Sequence, residues 1–269
     1  MGNYIHIRFQ PVNKTDQEIL IARLFELGYE GFEEGPNYLS AYIPESQFIE
    51  QAISQYTFSK EVIAPRNWNA EWEQNFQPVV IGRFCAIRAH FHEPIANVQH
   101  EIIITPKMSF GTGHHATTHL MVEAMEHQPF AGKTVLDFGT GTGILAILAE
   151  KLGARAITAI DNDDWSIENA AENSQLNHCS NIHLQKADSL HNLAVYDIIL
   201  ANINKHVLLG NMAEIRQHLA GDGVVYLSGL LSGDQPDIEA AVNKAGMQLV
   251  ERKEKDNWIC LTCKNFSTQ

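Results

Sequence analysis

Hydrophobic and polar positions alternate along YIHIRF near the start of the chain, the period of a half-buried strand. From Lys14 to Gly28 (KTDQEILIARLFELG) the apolar residues recur three and four apart and stop at a glycine, which predicts a helix. Short strands are expected around Gly31–Glu33 and Leu39–Ile43, and a second helix from Glu45 to Tyr56. This order reads as a small split β-α-β domain over residues 1–62. APRNWNAEWEQNFQP, bounded by Pro65 and Pro78, then reads as a linker over residues 63–78 holding a short helix. VVIGRFCAIRAHF and HEIIITP read as strands.

From residue 117 strands and helices alternate. Helices are expected in TTHLMVEAMEHQ, ILAILAEKLG, DDWSIENAAENSQLN, HVLLGNMAEIRQHLA and DQPDIEAAVNKAG. Strands are expected in KTVLDFG, RAITAID, NIHLQKAD, YDIILANI and GVVYLSG, and MQLVERKEK and NWICLTCK close as a hairpin. Apolar strands alternating with helices predict an α/β fold over residues 79–269. Its parallel sheet is wrapped by helices on both faces, with the ligand at the carboxyl ends of the strands.

Composition narrows the function classes. The 269 residues are 45% hydrophobic and 19% charged, enough for a substantial core. No run approaches the roughly 18 apolar residues of a membrane span, and the alternating N-terminal segment lacks the apolar stretch of a signal peptide. Four cysteines, at 85, 179, 260 and 263, suit a reducing cytoplasm. Cys260 and Cys263 form a CxxC within a strand. Their odd spacing puts them on opposite faces, and no second CxxC exists, so buried packing is expected and no metal. The net charge of -13 opposes direct nucleic acid binding and favours a basic protein partner.

The candidate chemistry centres on VLDFGTGTG, residues 135–143. Gly139, Gly141 and Gly143 lie between an apolar strand and an apolar helix, where backbone approaches a ligand closely and the helix start offers free N–H groups. The G-x-G-x-G spacing, with Asp137 two positions ahead, departs from the dinucleotide G-x-G-x-x-G and is similar to motif I of class I methyltransferases. Asp161 ends the next strand about 20 residues on, where a carboxylate accepts from both hydroxyls of a ribose; the competing reading is a helix cap. Asp188, after the third strand, is placed to reach an adenine amino group, or is a plain loop acid. Asn202, in IILANINK at the end of the fourth strand, offers an amide oxygen to an attacking amine, or is a turn residue.

Four segments, MSFGTGHHATTHL, GKTVLDFGTGTGILAI, AIDNDDWSIENAAENSQLN and LANI, together with NWNAEWEQNFQPVVIG, resemble the bacterial ribosomal protein L11 methyltransferase family. The resemblance implies a Rossmann-like class I methyltransferase domain behind a small N-terminal substrate-recognition domain. It implies transfer of methyl groups from S-adenosylmethionine to amines of a large-subunit ribosomal protein, on lysine side chains or the N-terminal α-amine. It puts donor contacts on Thr118, Gly139, Asp161 and Asn202, to which the readings of the glycine loop and the third strand add Gly141 and Asp188. Phe110 reads as an apolar wall of the donor site or as core packing, and Asn202 as the residue nearest the chemistry. His114 and Ala116 depart from the threonine and proline expected of the family. His114, His115 and His119 read as a polar lid, since two are adjacent and no carboxylate is patterned with them as a metal set would require.

The rival classes are an NAD-dependent oxidoreductase, which the glycine spacing disfavours, and a methyltransferase of nucleic acid or small molecules. The acidic charge and the lack of an NPPY motif disfavour a nucleic acid base as substrate. A non-catalytic donor-binding module is the third.

Overall fold

The computed structural model describes residues 3–10, 12, 14–63, 76–107 and 111–266. The chain divides into two compact units, Met1–Asn75 and Phe76–Gln269. The residues 64–75, where most of the linker and its helix were expected, lie outside the described residues.

In the first unit β1 (Tyr4–Phe9), α1 (Lys14–Glu26), β2 (Glu30–Gly35), β3 (Tyr38–Pro44) and β4 (Phe58–Ile63) form a four-stranded sheet of order β2-β3-β1-β4 with one covering helix. β3 lies between β1 and β2 and runs antiparallel to both, so β1-α1-β2 is a β-α-β unit split by a third strand. Alternation puts Ile5, Ile7 and Phe9 of β1 into a core with Leu20 and Leu24 of α1 and Leu39 and Ile43 of β3. On the other face His6 stacks on Tyr42 at 4.8 Å and the Arg8 guanidinium lies 3.8 Å from the centre of the Tyr38 ring.

Two expectations are corrected here. The helix over Glu45–Tyr56 is replaced by two single 3-10 turns, Glu45–Gln47 and Glu50–Ile53. A helix would have buried Ile49 and Ile53 together, but Ile49 is exposed while Phe48 packs on the core. The strand β4 was not foreseen, because FSKEVI is almost wholly exposed and carries no burial pattern. Its strand geometry comes from pairing along the whole of β1.

The second unit opens with a three-stranded sheet, β5 (Val79–Ile81), β6 (Cys85–Ala89) and β7 (His100–Ile104), with β7 at one edge. It continues through α2 (Ala116–Met125), β8 (Thr134–Phe138), α3 (Ile144–Lys151), β9 (Ala156–Asp161), α4 (Asp164–Leu176), β10 (Ile182–Lys186) and β11 (Tyr196–Asn202). Next come α5 (Lys205–Gln217), β12 (Leu219–Leu231), α6 (Gln235–Lys244), β13 (Met247–Lys255) and β14 (Trp258–Asn265). The seven-stranded sheet has the order β10-β9-β8-β11-β12-β14-β13. Its first five strands are parallel; β14 is antiparallel to both its neighbours, so the terminal hairpin folds back into the sheet.

Consecutive residues face opposite sides and fill two cores. Val135, Ile157, Ile198 and Val224 pack with Met121 of α2 and Ile147 of α3. Leu136, Ile160, Ile199 and Val225 pack with Leu208 of α5 and Ile238 of α6. The doubly covered parallel sheet is as the alternation of elements required. Cys260 joins the first core and Cys263 the second, on opposite faces as their spacing dictates. Among the described residues no helix is long and apolar enough to cross a membrane.

Candidate functional site

The glycine loop joins β8 to α3. Gly139, Gly141 and Gly143 have φ of +77°, +54° and +81°, the left-handed region that glycine enters without steric cost. The N–H groups of Gly139 and Thr140 both donate to the Ile160 carbonyl at 2.9 Å, which folds the loop against β9. Asp137 lies beneath it. One carboxylate oxygen accepts from the Thr140 hydroxyl at 2.6 Å and the Ala146 N–H at 3.2 Å, tying the loop to the first turn of α3. The other oxygen is buried and has no partner among the described residues. Burial pushes this carboxyl up to about 7, against the two hydrogen bonds that favour its charged form.

Asp161 stands at the carboxyl end of β9. Its oxygens accept from the Gly141 N–H at 2.9 Å and the Asp163 N–H at 3.1 Å. The carboxylate is thereby aimed, and each oxygen keeps a lone pair for a ligand hydroxyl. The cap of α4 is Asp163, which accepts from the Ser166 N–H at 3.2 Å, so capping does not account for Asp161. Asn202 ends β11. Its NH2 donates to the Thr118 hydroxyl at 3.4 Å, and its amide oxygen is buried with no partner among the described residues.

These groups meet around a cavity of about 510 Å³. Phe138, Asp161, Asp188, Asn202 and Gly229 line it, from the carboxyl ends of or just beyond β8, β9, β10, β11 and β12. Gly139, Gly141, Ala187 and Ser166 complete that side; His115, Thr117, Trp258 and Ile203 also line it. Of the residues singled out from the sequence, Gly139, Gly141, Asp161, Asp188 and Asn202 are brought together here. Thr118 is not: it is buried behind the wall and reaches the cavity only through Asn202, while its neighbour Thr117 lines it. Phe110 lies outside the described residues.

The histidines have separate duties. His115 caps α2, with its Nδ1 2.8 Å from the Thr117 hydroxyl, and meets the Trp258 ring edge-on at 4.6 Å. His114 Nε2 donates to the Gln77 carbonyl at 2.8 Å, and His119 pairs with Glu123 one turn on. Two glycines make room for Ile203. A Cβ at Gly139 would come within 2.2 Å of its Cγ2, and one at Gly229 within 2.3 Å of its carbonyl oxygen.

A family model described as ribosomal protein L11 methyltransferase matches residues 16–265. The ribosomal protein L11 methyltransferase of Porphyromonas gingivalis is 39% identical over 96% of this chain and 96% of its own. That of Chlorobaculum tepidum is 41% identical, over 96% of this chain and 95% of its own. The chain belongs to the ribosomal protein L11 methyltransferase family. A crystal structure of ribosomal protein L11 methylase from Lactobacillus delbrueckii subsp. bulgaricus superposes with a TM-score of 0.66 at 34% identity, covering 71% of this chain and 99% of that one.

A methyltransferase of this family uses S-adenosylmethionine, and the cavity suits such a ligand. Its volume falls within the several hundred Å³ usual for a small-molecule site. The unpartnered Asn202 oxygen, the aimed Asp161 carboxylate and the two Cβ-free positions beside Ile203 supply polar anchoring and close approach. His115, read from the sequence as part of a lid, lines the cavity; sequence reasoning chose Thr118 where Thr117 lines it, and missed Gly229 and Trp258. Gly229 was findable, since it ends the apolar run GVVYLSG in the same way that the other wall residues end theirs. Trp258 was hidden by strand direction. β14 runs antiparallel, so its first residue sits level with Leu231 at the carboxyl end of β12.

Proposed function

We propose that the chain methylates amines of ribosomal protein L11, on lysine side chains or the N-terminal α-amine, in the cytoplasm. The family membership supports the substrate, and the buried, unpartnered amide oxygen of Asn202 carries the choice of an amine as acceptor. In this reading Asp161 accepts from the ribose hydroxyls, Asp188 from the adenine amino group, and the loop Gly139–Gly141 takes the methionine end. The donor supplies an electrophilic methyl group on a sulfonium centre.

The chain's own work is alignment. Asn202 accepts a hydrogen bond from the neutral amine and directs its lone pair at the methyl carbon, while Thr118 holds the Asn202 amide from behind. A lysine amine has an ordinary pKa near 10.4, so it loses a proton, to water, before attack. Partial desolvation in the cavity lowers that cost. The first unit grips the protein substrate. The net charge of -13 favours a basic one.

The test is single-turnover methylation of L11 across pH with wild type and Asn202→Ala. The variant is expected to lose turnover on the order of a hundredfold, the scale for removing a positioned polar group from a reacting centre. The wild-type rate is expected to climb with pH as more amine becomes neutral. A variant as fast as wild type would reduce Asn202 to a turn residue, and a flat pH profile would argue against an amine whose deprotonation limits the rate.

A further inference from the structure

Helix α4 and its C-cap present three asparagines at intervals of four, Asn169, Asn173 and Asn177, all buried. Four residues is close to one helical turn, so the three lie on one face. That face meets the free edge of β7. The Asn177 oxygen accepts from the Ile103 N–H at 3.0 Å and its NH2 donates to the Ile103 carbonyl at 2.6 Å. The Asn173 oxygen accepts from the Thr105 N–H at 2.7 Å, and the Asn169 NH2 donates to the Thr105 carbonyl at 3.0 Å. Alternate residues of an edge strand point their N–H and C=O groups outward, and here side-chain amides satisfy them where a neighbouring strand would.

Asn173 does one thing its neighbours do not. Its NH2 donates to the Thr142 carbonyl at 2.8 Å, inside the glycine loop. Thr142 in turn donates its hydroxyl to the Gly111 carbonyl at 2.6 Å. Thr105 and Gly111 lie ahead of His115 and Thr117, which line the cavity. Both are therefore fastened to the same residue of the glycine loop, Gly111 directly and Thr105 through one amide. A fully buried amide costs several kcal/mol if left unpaired, so a network of this kind tolerates one arrangement and resists others.

We propose that Asn173 is a positioning residue for the methyltransferase reaction: acting through Thr142 and Thr105, it sets the register between the glycine loop and the segment leading to His115 and Thr117. It touches neither donor nor acceptor. The inference rests on the reading that this cavity holds the donor.

The experiment compares full-length wild type, Asn173→Asp, Asn177→Asp, Asn173→Ser and Asn177→Ser for urea stability, for S-adenosylmethionine affinity by calorimetry and for single-turnover rate on L11. Asn173→Asp keeps the acceptor for Thr105 and turns a carboxylate oxygen on the Thr142 carbonyl. Asn177→Asp makes the same change where no bond reaches the glycine loop. Both aspartates are expected to lower stability. Only Asn173→Asp should also weaken donor binding by about tenfold, and its affinity should recover toward wild type at low pH, where the protonated acid donates to Thr142 again. Asn173→Ser withdraws the amide from Thr142 and Thr105 without adding charge and should weaken donor binding more than Asn177→Ser, which decides the matter if Asn173→Asp does not fold.

Equal donor affinity in Asn173→Asp and Asn177→Asp, or, where Asn173→Asp does not fold, in Asn173→Ser and Asn177→Ser, would overturn the proposal and leave a ladder that only holds the helix to the strand. Donor affinity is read without any acceptor. A wild type that binds donor but leaves L11 unmethylated would therefore count against the acceptor and not against Asn173.

Discussion

Asp137→Asn removes a buried charge while keeping the acceptor for Thr140 and Ala146. In the folded chain the carboxyl is pushed up to about 7 from an ordinary 3.8, chiefly by burial. The folded state thus binds a proton more tightly than the unfolded one. Between about 4 and 7 the native protein holds the proton that the unfolded chain has released, so this group makes stability fall as pH rises, and its cost is complete above 7. The full gap corresponds to about 4 kcal/mol, at about 1.4 kcal/mol per pH unit. Asparagine carries no such titration. Its NH2 replaces an oxygen that already lacks a partner, and adds a penalty of about 1–3 kcal/mol that does not vary with pH. The slope is therefore the signal. In urea unfolding without ligand, the stability of Asp137→Asn relative to wild type should rise by about 2 kcal/mol from pH 5.5 to pH 8, most of it below 7. A difference that stays constant across that range would refute the claim that burial raises this carboxyl.

Asp161→Ala should weaken S-adenosylmethionine binding by about 1–3 kcal/mol in calorimetry, through loss of charge-assisted bonds to the ribose and of the tie to Gly141; unchanged affinity would remove it from the site. A fragment of residues 76–269 should bind the donor and fail to methylate intact L11, and a fully active fragment would end the assignment of recognition to the first unit. The thiols should be slow toward iodoacetamide at pH 8. Burial pushes Cys85 up to about 12 and Cys179 up to about 11, and the half-buried Cys179 should label first by mass spectrometry. Fast labelling of Cys85 or Cys263 would contradict their burial.

The second unit was legible because its central strands β8, β9, β11 and β12 are buried enough to need apolar runs, and its helices carry apolar residues at helical spacing. VLDF, AITAID and IILAN announce themselves, and their last residues line the cavity. Burial left fewer marks on the first unit. FSKEVI is an edge strand exposed on both sides, and ESQFIEQAISQY contains helical spacing that the packing of Phe48 overrides. At the site, Thr117 and Thr118 are indistinguishable from sequence alone, since the phase of a helix start decides which one faces the cavity. His115 was read as part of a lid, but its cap to Thr117 and its contact with Trp258 depend on chain segments far apart in sequence.

Ile203, wedged between two glycines, gives evolutionary drift unequal freedom on its two sides. What an alanine at 139 meets is the tip of a side chain, so a smaller residue at 203 opens the space and leaves only the backbone strain of a φ of +77°. What an alanine at 229 meets is the peptide carbonyl of 203, which every amino acid carries. A lineage can therefore reach a side chain at 139 in two steps, through a permissive change at 203, whereas no change of residue at 203 opens 229. In a library randomised at all three positions, survivors with alanine at 139 should carry small residues at 203, and 229 should remain glycine whatever stands beside it.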